Sequence, residues 1–64
     1  MKAGDELVHD RDFEQAKKHG YPVKAVQDDM VVYPAGRVTA FSEHHVSIEG
    51  KRLLRSASHF VVAE

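Results

Sequence analysis

Beyond Tyr21-Pro22 the chain never runs far without a turn. Asp28-Asp29, Pro34-Ala35-Gly36, Ser42-Glu43-His44, Glu49-Gly50 and Ser56-Ala57-Ser58 are clusters of turn-forming residues that cut it into short β-branched or aromatic runs. Those runs are Val23–Val26, Met30–Tyr33, Gly36–Phe41, Val46–Ile48, Arg52–Arg55 and His59–Val62. In Val46-Ser47-Ile48 the two aliphatic residues share one face of an extended strand and the serine takes the other. Glu49-Gly50 is the clearest hairpin signal, because glycine tolerates the positive φ of a tight turn. Short strands at close spacing predict a compact, strongly bent sheet or barrel, since a flat sheet would leave long unpaired edges.

The segment before Pro22 has a different character. Glu6-Leu7-Val8-His9 follows a Gly-Asp turn and predicts a first short strand. Arg11–His19 predicts a helix, capped by Asp10 or Asp12, whose carboxylate accepts from free backbone N–H groups and faces the positive end of the helix dipole. Glu14 and Lys18 stand one turn apart, Lys17, Lys18 and His19 sit at the negative end, and Gly20 before Tyr21-Pro22 supplies the stop. Only Phe13 and Ala16, with Tyr21, form its apolar side, so this helix needs a sheet to lean on.

The chain has 64 residues, no cysteine and no tryptophan, and nine Lys and Arg against ten Asp and Glu. A chain this short predicts a single domain over residues 1–64, without an internal repeat or linker. Folding at this size buries only about 60% of the surface exposed by the unfolded chain, so nearly every apolar residue is needed for the core. Without cysteine there is no thiolate metal site, disulfide scaffold or cysteine nucleophile, which fits a reducing compartment. No apolar run exceeds four residues, and the opening Met-Lys-Ala-Gly-Asp-Glu has no apolar stretch of a secretory signal, so the expectation is a cytoplasmic protein outside the membrane. A formal net charge of −1 argues against strong non-specific affinity for DNA and leaves any nucleic-acid role to a local patch.

Gly36-Arg37-Val38-Thr39-Ala40-Phe41, a polar turn, and Val46-Ser47-Ile48-Glu49-Gly50 together resemble the KOW-type motif of small SH3-like barrels, in which a Gly-x-Val strand is followed by a Val-x-Val-x-Gly strand. Lys2-Ala3-Gly4-Asp5-Glu6-Leu7-Val8 is similar to the opening of those barrels, and Ser56–Val62 to their closing turn and strand. The resemblance covers about half the chain and implies an SH3-like barrel. Relatives of this type include ribosomal and transcription-elongation modules that bind RNA or protein, and small bacterial and phage proteins. In this chain Asp10–Ala35, with the proposed helix, stands where the family has a short loop. Fold alone does not decide activity.

Candidate chemistry is sparse. Of five histidines, His44 and His45 are adjacent and would point to opposite faces of a strand, and His59 lies fourteen residues further on without chelate spacing. Ser42, Ser47, Ser56 and Ser58 coexist with histidine and aspartate, but no Gly-x-Ser-x-Gly elbow is present. Asp5, Glu6, Asp10, Asp12 and Glu14 lack the loop pattern of a calcium site and read as caps and solvated surface. A domain this small leaves little room for a catalytic pocket of about 300 Å³ or more. The expectation is no enzyme, no metal, no cofactor and no small-molecule substrate.

The basic residues are more suggestive. Lys51, Arg52 and Arg55 cluster around one hairpin, Arg37 begins the neighbouring strand, and Tyr33, His44 and His45 are near in sequence. Cations could engage phosphates while a ring stacks on a base, or simply protect a sheet edge. The sequence thus predicts a mainly β fold with one short α-helix in the long connection after the first strand, an SH3-like small barrel of about five or six strands. Its expected core is Leu7, Phe13, Val26, Val32, Val38, Ala40, Val46, Ile48, Leu54 and Val61. The expected function is binding of protein or peptide, or of a second copy, through an exposed strand edge or an apolar rim that Phe13, Tyr21, Val31 and Tyr33 could supply. RNA or DNA binding through the basic hairpin is the alternative.

Overall fold

The computed structural model describes residues 1–63. Its elements follow in the order β1 (Glu6–Leu7), α1 (Asp10–His19), β2 (Pro22–Gln27), β3 (Met30–Phe41), β4 (His45–Ile48), β5 (Lys51–Leu54) and β6 (His59–Val62). The fold is therefore mainly β, and the described residues hold one helix, between β1 and β2. All strand pairs are antiparallel, in the order β1-β6-β2-β3-β4-β5, and the sheet is open, with β1 and β5 at its ends. Long β3 belongs to both halves: it pairs with β2 through Met30–Arg37 and with β4 through Val38–Phe41. Among the described residues no helix is long and apolar enough to cross a membrane.

Local chemistry accounts for the boundaries. Helix α1 begins after an N-cap at His9 rather than at Asp10 or Asp12, because Asp12 lies one turn inside and its Oδ2 accepts from the N–H groups of Val8 and His9, both at 3.0 Å. That same bond draws Val8 and His9 out of the first strand, which ends at Leu7 instead of His9. Gly20 closes the helix at φ 71°, and the Tyr21 N–H returns to the Ala16 carbonyl at 3.0 Å. Both two-residue hairpin loops have positive φ throughout, 47° and 67° at Asp28 and Asp29, 52° and 82° at Glu49 and Gly50. This is the mirror-image turn whose twist matches that of its strands.

Pro34-Ala35-Gly36, expected to be a turn, lies inside β3. The β2–β3 register shifts between the pairs Val23–Gly36 and Ala25–Tyr33, so β3 carries an extra residue there. Such a bulge accommodates a proline lacking its N–H and bends the strand without ending it. Gly36 answers a separate need: a Cβ on it would lie 2.6 Å from Glu49 Cγ and 2.9 Å from Ile48 Cγ2.

The core consists of Leu7, Phe13, Ala16, Val23, Ala25, Val38, Val46, Ile48, Phe60 and Val62, with Tyr21, Tyr33, Phe41 and Leu53 packed against it. Phe13, carried on α1, is its centre, 5.8 Å from Phe60 in an edge-to-face arrangement and 6.2 Å from Phe41. Half the expected core is placed differently, for one reason: register. The bulge at Pro34-Ala35 turns Tyr33 inward opposite buried Ala25, and a second shift, between the pairs Ala25–Tyr33 and Val26–Val31, makes Val32 the extra residue and leaves it 46% exposed. A third shift, between Val38 and Ala40, sets Ala40 opposite outward-facing Ser47. Leu53, opposite Val46, faces in, whereas Leu54, opposite His45, is 50% exposed. Val26 and Val61 are half-buried on the outer face, since Val23, Ala25, Phe60 and Val62 occupy the inner one.

Candidate binding surfaces

The seven residues singled out by sequence do not form one patch. Arg52 and His45 share the outer face of the β4–β5 hairpin, where Arg52 opposes Ser47 and His45 opposes Leu54. Lys51 is exposed beside the hairpin loop, opposite Ile48. Arg37 turns elsewhere. Its side chain lies against Gly20, with Nε 3.8 Å from where a Cβ would stand, which brings it to the end of α1 that carries Lys17, Lys18 and His19. Cations there complement the helix dipole. His19 also stacks on Tyr21 with centroids 5.4 Å apart. Tyr33 belongs to the half of β3 that pairs with β2, away from the hairpin, and packs against the core.

Arg55 is tied into the fold. Its Nη1 donates to Asp10 Oδ1 at 2.7 Å and to the Ser42 carbonyl at 2.6 Å, its Nη2 donates to the Val8 carbonyl at 3.3 Å, and its guanidinium carbon stands 4.3 Å above the Phe13 ring. Only 14% of the side chain is exposed. A planar fork that satisfies two loops while stacking on an aromatic ring is what arginine offers and lysine does not. Strand β5 ends at Leu54, and Arg55 lies in the turn that follows.

An open cleft of about 660 Å³ lies beside it, larger than the domain's length led us to expect. Leu7, Phe13 and Phe60 form its floor, and His44, Arg55 and His59 stand on its rim. Its groups are already engaged. His59 Nδ1 is 2.8 Å from Glu6 Oε2, Gln27 Nε2 donates to Ser58 Oγ at 3.2 Å and to the Ala57 carbonyl, and exposed His44 has Glu43 at 3.9 Å. The floor residues are 3% exposed or less, so a ligand would meet little apolar surface. Among the described residues, no three His, Asp or Glu side chains gather as metal ligands.

An exposed apolar surface lies on β3, where Val31 was expected as an anchor but Val32 was expected in the core. Met30, Val31 and Val32 are 67%, 53% and 46% exposed, an uninterrupted apolar run. Here β3 pairs with β2 on one side only, because its pairing with β4 starts at Val38. Among the described residues no strand covers the other side of Met30–Gly36, whose backbone groups form an open edge. Two signals were present in the sequence: a run of consecutive apolar residues cannot all face one side of a strand, and a nearby proline marks an edge or bulge.

No protein-family model, no curated protein and no solved structure matches this chain.

Proposed function

We propose that this protein is a non-enzymatic binding module that recognises protein or peptide, with the free edge of β3 as its docking strand. The observation that carries the reading is the coincidence of an unpaired strand edge with Met30, Val31 and Val32, all exposed. An extended partner can add a strand there, drawing affinity from main-chain hydrogen bonds and from burial of the three side chains. The bent β3, shared by both halves of a sheet wrapped around one core, supports the SH3-like barrel reading and its KOW-type resemblance. The absence of cysteine supports a cytoplasmic setting.

Retention of a nuclease-resistant protein partner by the immobilised domain, combined with hydrogen exchange, tests this. Binding should protect amides of residues 31–33, 35 and 36 and be lost in Val31→Lys but kept in Arg52→Glu. Protection confined to β5 would sink it. RNA or DNA binding stays the second reading, favoured by the exposed Lys51 and Arg52 and by Arg37 standing with Lys17, Lys18 and His19. Titration of labelled RNA, single-stranded DNA and duplex DNA at two salt concentrations decides it, because phosphate contacts make affinity fall with salt. Arg37 and Arg52 are the residues to reverse, since reversing Arg55 would disturb the fold.

A further inference from the structure

The free edge of β3 is bounded by opposite charges. Asp28 and Asp29 stand immediately before it; Arg37 closes it, with Glu49 Oε2 on its N–H and its guanidinium at the Lys17 and Lys18 end of α1, so that this end is basic on balance; and the intervening residues Met30–Gly36 carry no charge. Asp28, Asp29 and Arg37 are all exposed. A strand lying antiparallel along this edge would match it by bringing a cation to the acidic turn and an acid to Arg37, with apolar residues between. The edge itself has that arrangement. A parallel neighbour of the same sequence would set like charges together.

From this charge complementarity we propose that the occupant of the β3 edge is a second copy of this chain, the two edges pairing antiparallel about a two-fold axis. The inference rests on β3 being a docking edge and adds the identity of what docks. Each Asp28-Asp29 turn then faces the partner's Arg37, twice by symmetry, as a self-complementary contact requires. Met30, Val31 and Val32 of each copy lie along Gly36, Ala35 and Pro34 of the other, on either side of Tyr33 at the axis, and β1-β6-β2-β3 continues into the same four strands of the partner in reverse order. Pro34 offers no N–H, so the ladder is weakened once on each side of the axis and side-chain burial supplies most of the gain.

Sedimentation of the full chain over a concentration series, with circular dichroism to confirm folding of each variant, is the test. The wild type should dimerise. Arg37→Glu and Asp29→Lys, each placing like charges in contact, should each weaken the dimer about fivefold. Mixed in equal amounts, they should form a heterodimer with both contacts matched and recover wild-type affinity. The paired change Asp28→Asn with Asp29→Gly, which suits the turn while removing its charge, should also weaken the dimer and guards against misfolding of Asp29→Lys. A wild type that is monomeric throughout overturns the inference. If such a monomer still holds a protein partner that Val31→Lys loses, the docking-edge reading survives. A dimer indifferent to Val31→Lys and to every charge change overturns both.

Discussion

Gly36 shows how one residue can be required for space alone. It is buried where the β4–β5 loop crosses β3, and Glu49 Oε2 accepts from the Arg37 N–H at 2.9 Å beside it. A methyl group there would press on Ile48, which is fully buried, and push Glu49 from that bond. Gly36→Ala should cost about 1–3 kcal/mol, the range for overpacking, read as a lower urea midpoint with an unchanged slope. An unchanged midpoint would mean that Glu49 swings aside freely. The Gly-x-Val pattern that suggested a barrel strand thus has a packing cause at its glycine.

At the scale of elements, the helix is a short amphipathic segment held by its ends and by Phe13. Asp12 is its N-terminal clasp, and the hydrogen bonds from the His9 and Val8 backbone, helped by His9 and Arg11, hold its carboxyl below the ordinary value of 3.8. A carboxyl lowered in the folded state contributes stability that is present above its unfolded value and fades as pH falls through the folded one. Asp12→Ala should therefore destabilise the domain by about 1 kcal/mol at neutral pH and by much less at pH values below the folded value, where wild type has itself lost the charge. Urea midpoints at both acidities measure this. An equal loss in both would show that the carboxylate's charge is not what stabilises the helix start. The same scale explains β3: its three register shifts let one strand serve both halves of the sheet.

Across the whole molecule, Arg55 joins parts that are distant in sequence. It links Val8, in the loop before α1, and Asp10, at the start of α1, with the β3–β4 connection at Ser42, and roofs Phe13 in the core. Asp10 is 74% exposed, so the ion pair itself is screened, and the carbonyl bonds and ring contact carry more of the effect. Arg55→Ala should cost about 2 kcal/mol, and Arg55→Lys should recover only part of it, because a single ammonium cannot reproduce the fork. Chemical denaturation of both variants checks this. A loss below about 0.5 kcal/mol for the alanine variant would place Arg55 among ordinary surface residues.

Local chemistry was enough to read the helix around Phe13 and Ala16, the loops at Asp28-Asp29 and Glu49-Gly50, and the alternation that buries Val46 and Ile48. Each depends on neighbours a few residues apart: a stop glycine, a tight turn, a period of two. Tertiary structure alone decided which of Leu53 and Leu54 faces in, that Tyr33 rather than Val32 meets the core, and that Arg55 leaves the basic hairpin for Asp10. Strand phase passes through bulges set by pairing with other strands, and an arginine's partners 45 residues away leave no mark on its own surroundings. The open edge of β3 has the same origin: its apolar run is written in the chain, but only the arrangement of β2 and β4 leaves one side of it bare.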